Sequence, residues 1–288
     1  MTEKLEKQAS ELTSLSSPCV LCPHECGVKR NKGETGKCSV GYDPRIASWG
    51  SHFGEEPVLV GKGGSGTIFF AGCNVRCIFC QNYDVSHHQS GNDVTVSSLV
   101  RTMLALERIG CENINFVTPT QFAHAVFNAV RDARKQGLEL PVVYNCGGYE
   151  SVRTIRLLDE IVDIWMPDIK TLDKRFAEKY LVAKNYPEKV GEALKAMAEM
   201  QPESVVQNGV MRKGVIVRHL VMPNMLEDSK RILDMVTEHA PNALVNVMGQ
   251  YQPYGIAETV DELSRPTSPE ETKRARDYAA SKGLALSS

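Results

Sequence analysis

The sequence has no apolar run approaching the roughly 20 residues that a membrane-spanning helix needs. It also has no surplus of either charge: the formal net charge is −2 over 288 residues. The first absence leaves no candidate helical span. The second removes the general case for a surface built to collect nucleic-acid phosphates. The opening stretch, MTEKLEKQASELTSLSSP, lacks the apolar core of a secretory signal peptide. Residues 1–18 are therefore expected to be a flexible tail or short helix of a cytoplasmic protein. No internal repeat and no low-complexity tract is present. A phosphate-binding loop is missing too. GKGGSG (61–66) invites that reading, but its glycines precede a strand, and no Gly-Lys-Ser/Thr ending follows. These glycines read as a flexible linker. Nine cysteines, an odd number, argue against a complete disulfide framework. In a reducing compartment, clustered cysteines point to metal.

What is present is an ordinary globular composition, 42% hydrophobic and 24% charged. From residue 65 onward, apolar runs alternate with helical periodicity. Strands are expected at 66–72, 113–118, 141–145, 161–167, 214–223 and 244–251. Helices are expected at 94–110, 120–137, 151–158, 172–181, 187–200, 228–239 and 268–282. Such alternation implies a parallel sheet with helices outside it. Six βα units are two short of a closed eight-fold barrel. The expected fold class is α/β, an open (β/α)6 partial barrel over 65–288. A doubly wound sheet is the alternative. In either, ligands gather at the C-terminal ends of the strands. Residues 19–64 are rich in Gly, Pro and Cys and lack this pattern, so they are expected to form a separate metal-stapled lobe and linker.

The strongest chemical signal is GCNVRCIFCQN (72–82), with Cys73, Cys77 and Cys80 directly after the first barrel strand. A structural zinc site takes four protein ligands. A cubane iron–sulfur cluster has four irons, each usually held by one thiolate. Three thiolates leave one iron open, and an open position is what a catalytic metal requires. Upstream, Cys19, Cys22, Cys26 and Cys38 form a Cys-x2-Cys-x3-Cys-x11-Cys array. Four thiolates suit either a closed zinc site or an auxiliary iron–sulfur cluster. His24 is an alternative fourth ligand, and Gly33 and Gly36 allow tight turns between the ligands.

The three-cysteine loop, with Phe79 before its last cysteine, resembles that of the radical S-adenosylmethionine (SAM) superfamily. The likeness extends through HFGEEP (52–57), NINFVTPT (113–120), YNCGGYE (144–150), PDIK (167–170), RHLVMP (218–223) and VMGQYQP (247–253). Within the superfamily these resemble the glycyl-radical-enzyme activases, and an uncharacterised branch related to pyruvate formate-lyase activating enzyme in particular. The resemblance implies a 4Fe–4S cluster whose open iron chelates SAM. Cleavage of SAM then yields a 5′-deoxyadenosyl radical that abstracts hydrogen. It implies that Phe79 and Asn82 flank the adenine and cluster, and that Asn145 lies near the ribose. VTPT (117–120) stands where the superfamily usually has Gly-Gly-Glu, so Thr118 and Thr120, or backbone carbonyls, are expected to receive the cofactor's amino group. Asp168 and Lys170 match the activases' Asp-x-Lys, equally readable as a bracing ion pair. Arg218 is a candidate for the cofactor carboxylate or an interior salt bridge, and Gln250 closes the last strand. His219, next to Arg218 on one strand, must point the other way, under a helix or toward function. Cys111 and Cys146 read as small buried hydrophobes, and His87 and His88 as solvated loop residues. The implied partners are a flavodoxin or ferredoxin as electron donor and a glycyl-radical enzyme as substrate, with no nucleic acid and no membrane. Radical modification of a small molecule or another peptide is the alternative. A non-catalytic iron–sulfur electron carrier is a third reading from another class.

Overall fold

The computed structural model describes residues 3–287. Its elements run α1 (Glu3–Leu15), β1 (Arg45–His52), α2 (Pro57–Val60), β2 (Ser65–Phe70), α3 (Tyr83–Ser86) and β3 (Asn92–Asp93). Then follow α4 (Val96–Arg108), β4 (Ile114–Val117), α5 (Ala123–Lys135), β5 (Val142–Cys146), α6 (Val152–Leu157) and β6 (Ile164–Pro167). The chain continues with α7 (Lys174–Tyr180), α8 (Tyr186–Met200), β7 (Val205–Gln207), β8 (Val210–Leu220) and α9 (Leu226–His239). It ends with β9 (Leu244–Met248), α10 (Pro269–Ser281) and β10 (Ala285–Leu286).

One sheet is ordered β10-β9-β8-β6-β5-β4-β2-β1-β3, with β7 paired to β8. The strands β2, β4, β5, β6, β8 and β9 are parallel neighbours, and the sheet does not close. Strands covered on both faces must be apolar along their length, and β5 and β6 are buried at every position. The helices supply the outer layer through one apolar face each. In α4 that face is Leu99, Val100, Met103 and Leu106, and Thr95 caps the helix by accepting from the Ser98 N–H.

Of the two forms expected at the N-terminus, residues 3–15 take the helix. Leu12 and Leu15 of α1 are buried against α5 and α6, and Arg131 reaches Glu6 at 3.1 Å. Residues 45–64 do not belong to a separate lobe: β1 pairs antiparallel with β2 and extends the sheet. The glycines at 61–66 are not a free linker either. Ser51 donates to the Gly63 carbonyl, and a Cβ on Gly66 would lie 2.5 Å from the Asn113 carbonyl.

The short helix α2 plugs the barrel. Leu59 packs with Val143, Ile164, Met166, Met211 and Ile216, which point inward from β5, β6 and β8. The Asn113 amide ties the plug down by donating to the Leu59 carbonyl at 2.7 Å. Glu56, just before the plug, accepts from Asn246 and Ser287. Glu55 faces the C-terminal ends of the strands, where the plug leaves open space.

Candidate functional site

Gly72 ends β2 with φ +77°, and a Cβ there would lie 2.6 Å from the Cys38 carbonyl, so only glycine fits the turn. The loop that follows carries Cys73, Cys77 and Cys80 onto one wall of a cavity of about 420 Å3 at the strand ends. The backbone N–H groups of Val75 and Arg76 point at Cys73 Sγ, at 3.4 and 3.5 Å. Burial pushes the Cys73 thiol up to about 11 and the Cys77 thiol higher still. Without a cation these groups stay protonated and inert; a metal would hold them as thiolates. Three thiols on one wall, backbone N–H groups turned to sulfur, and room beside them fit a cluster with an open position.

The same cavity is also lined by a closed set of charges. Arg218 Nε donates to Asp168 Oδ1 at 2.5 Å, and its Nη1 to Glu55 Oε1 at 2.8 Å. Lys170 Nζ meets Asp168 Oδ2 at 2.8 Å. The amides of Asn115 and Asn145 donate to Glu55 Oε2, and Arg218 Nη2 donates to Asn145 Oδ1. Burial by itself opposes ionisation of Asp168, but Arg218 and Lys170 outweigh it and hold the carboxyl down at about 2. The same partners keep Lys170 and Arg218 charged despite their burial. Within this ion-paired set two carboxylates face two cations.

Phe79, Asn82, Thr118, Asn145, Asp168, Lys170, Arg218 and Gln250 all line this cavity with the three cysteines. Thr120 does not. The chain turns at Thr118, whose φ is +58°, and the residues after it lead away from the barrel axis. Thr120 is buried on the wall of a different cavity and donates to Glu150 Oε1 at 2.6 Å. His219 packs under α9, with Nδ1 near the Ile169 carbonyl and Nε2 on Ser229. Cys146 is buried on the cavity wall, and His87 stacks on Tyr83. Glu55, within HFGEEP, joins the site although its sequence motif implied no role for it. The adjacent acidic pair was the visible signal; nothing in its spacing aims it at the barrel axis.

The second cavity, about 20 Å3, is lined by Cys19, Cys22, Cys26 and Cys38 together with Arg30 and Asn74. His24 lines it too, but its Nε2 is committed to the Asn74 carbonyl, to which it donates at 2.8 Å.

The family model of the Radical SAM superfamily matches residues 67–236, from the strand before the cysteine loop through most of α9. The chain belongs to the radical SAM superfamily. An uncharacterized protein of Methanocaldococcus jannaschii is 31% identical, across 93% of this chain and 76% of that one. Among solved structures, SuiB of Streptococcus suis is similar with a TM-score of 0.50 and 11% identity, over 74% of this chain and 46% of that one. The protein anSMEcpe, solved with bound AdoMet, gives a TM-score of 0.48 and 10% identity over 75% of this chain and 61% of that one. The chain thus spans about half and three fifths of those two proteins, and the likeness to SuiB shows the fold alone. As a radical SAM enzyme the protein is not a mere electron carrier. Membership implies an iron–sulfur cluster and SAM. No helix of the described residues is long and apolar enough to cross a membrane.

Proposed function

We propose that Cys73, Cys77 and Cys80 hold a 4Fe–4S cluster with one open iron, and that SAM fills the cavity beside it. The observation that supports this most is the three thiols lining a space of about 420 Å3 together with a linked network of charges. When bound and reduced, the cluster and SAM supply a 5′-deoxyadenosyl radical for hydrogen abstraction. The chain's own part is to position and to exclude water. Phe79, buried against Phe176 and Tyr251, fixes the loop beside the last cysteine and offers an apolar surface to the adenine. Asn145 presents its side chain toward the ribose. Arg218, Asp168, Lys170 and Glu55 orient the cofactor's polar end through groups already held in place, so little reorganisation is needed. Thr118, with its carbonyl tied by Gln121 Nε2 at 2.8 Å, takes the place of a carboxylate at the amino group. Gln250 closes the last strand end.

The substrate we propose is the backbone Cα of a glycine in a partner protein, a glycyl-radical enzyme. The activase-like strand-end motifs and the open cavity support that reading, with flavodoxin or ferredoxin as donor in the cytoplasm. The four-cysteine lobe and the missing Gly-Gly-Glu favour a second reading, radical modification of a small molecule or another peptide. The test is anaerobic reconstitution followed by dithionite and SAM. We expect 5′-deoxyadenosine from the wild type and none from Cys77→Ala. A wild type carrying a full cluster and forming none, with or without candidate substrates, would sink the proposal.

A further inference from the structure

Strand β1 has a free edge. Residues 48–52 pair with β2 on one side, while β3 covers only Arg45 and Ile46 on the other. One hydrogen bond fixes which backbone groups are left over. The Gly66 N–H donates to the Asn113 carbonyl, away from β1. Successive residues of a strand turn their N–H and C=O to opposite edges. Ser65, Thr67 and Phe69 therefore face β1, where they meet His52, Gly50 and Ser48. The N–H and C=O of Trp49 and Ser51 point the other way, and no backbone group among the described residues meets them.

Open edges of this kind are normally blunted by charge, proline or a covering element. Residues 46–54, IASWGSHFG, contain no Lys, Arg, Asp, Glu or Pro. The irregularity in β1 lies between Ile46 and Ser48, at the end next to β3. Two large aromatic side chains stand beside the free groups instead: Trp49 is 50% exposed and Phe53 64%. Free backbone donors and acceptors, with apolar side chains beside them, are what an added strand needs.

The two faces of this edge differ. Trp49 pairs with Ile68, which is buried in the core shared with α4, so Trp49 and Ser51 lie on the outer face. Phe53 stands with Ser51 against Gly64. Ser48 pairs with Phe69, and the His52 ring packs edge-on to the Phe69 ring, 6.4 Å between centroids. Phe69, His52 and Gly54 line the large cavity. Ser48, Gly50 and His52 thus share the cavity face of the sheet. A strand added here continues both faces, so every second residue turns to the cavity side. It lies about 10 Å from β2, two strand spacings, and β2 leads into the cysteine loop. A glycine in that register carries a hydrogen where other residues carry Cβ, and so presents a Cα–H bond to the cavity side.

We propose that the β1 edge takes an extended segment of the substrate polypeptide as an added strand. The backbone groups of Trp49 and Ser51 set its register. Apolar residues at alternate positions cover Trp49 and Phe53, and the residues between them, a glycine included, face the cavity. The sheet does not close, and β1 and β10 lie toward opposite ends of its order, so the added strand runs along the gap of the barrel. Docking makes and breaks no covalent bond. The docking edge stands on its own; its use in delivering a Cα–H bond rests on the cavity reading above.

The probe is the peptide Lys-Val-Ser-Val-Gly-Val-Ser-Val-Lys, whose valines suit the outer face and whose glycine falls on the cavity face. Amide hydrogen exchange is followed in the reconstituted protein without SAM or reductant. We expect millimolar peptide to slow the Trp49 and Ser51 amides about tenfold, the effect of about one net hydrogen bond. The same peptide with its backbone N-methylated should leave them unchanged. Ser51→Pro removes a free donor but no bond to β2, as proline on an edge strand can, and Trp49→Lys places a charge on the edge. Both variants should lose the slowing at the amide that remains. Slowing kept by both variants overturns the proposal. So does a wild type that the two peptides affect alike, a comparison that decides even if neither variant folds. Slowing that grows with protein concentration in the absence of peptide also overturns it, in favour of two β1 edges pairing with each other. Failure of the cavity reading looks different: the wild type forms no 5′-deoxyadenosine, whatever the peptide does at the edge.

Discussion

Removing the Glu55 carboxylate would leave the buried Arg218 with Asp168 as its one remaining ion-pair partner among the described residues. Breaking one partner out of a buried ionic set costs about 3–5 kcal/mol. Glu55→Gln keeps an oxygen for the Asn115 amide but turns an amide N–H toward Arg218. We expect that variant to melt lower and to bind SAM about tenfold more weakly, a loss of about 1.4 kcal/mol. Equilibrium dialysis beside a thermal melt checks both. Unchanged binding with a lowered melt would make Glu55 a brace for the barrel rather than part of the binding wall. Thr118 and Thr120 show how finely a residue's place is decided here. They are two positions apart, yet the positive φ at Thr118 sends one to the large cavity and the other to the four-cysteine cavity.

Among the elements, α10 shows how a helix start can hold a distant loop. Ser268 and Glu271 form a reciprocal capping box, and Glu271 also accepts from the Asn224 N–H at 2.6 Å and pairs with Arg265. The hydrogen bond from Arg265 holds the Glu271 carboxyl well below the usual carboxylate range, against the opposing effect of burial. A depressed carboxylate stabilises the fold above its unfolded value of 4.5 and loses that contribution as pH falls below it. Glu271→Gln should therefore cost about 1 kcal/mol near neutrality. In urea melts the gap between variant and wild type should shrink as the pH is lowered below 4.5. A gap that stays constant with pH would mean that the cap's geometry, rather than its charge, carries the effect. The barrel elements were legible because the buried strands are mostly apolar and each covering helix has one apolar stripe. Strands β1 and β3 were not: β1 is mostly exposed and β3 is two exposed residues, so neither carries a period. The plug α2 is four residues long, too short for a helical period to show.

At the scale of the molecule, the four-cysteine segment has little hydrocarbon of its own. Cys19, Leu21 and Val40 join the core that the barrel and its helices build, while residues 31–35 are exposed. A metal would supply the remaining order. We expect metal chelation to speed tryptic cleavage after Lys32 and Lys37 several-fold, with the chain from β1 onward left intact. Equal cleavage with and without metal would show that packing against the barrel holds the segment unaided. The division of the chain follows from the same packing. A boundary at residue 64 looked natural because glycines and prolines interrupt the pattern. It disappears because β1 completes the sheet edge and α2 fills the barrel axis.

The amino-acid order alone determined the parallel α/β layout and the two cysteine arrays, because both are written in short-range terms: periods of two and 3.6 residues, and ligand spacings within one loop. Tertiary structure decided which groups share a cavity. Glu55 and Arg218 are 163 residues apart in the chain and meet only because the plug enters the barrel that β8 helps to form. Cys38 meets Gly72, and His24 meets Asn74, only because the lobe docks behind the radical loop. Contacts of that span depend on where whole elements come to rest, and no local pattern of residues encodes them.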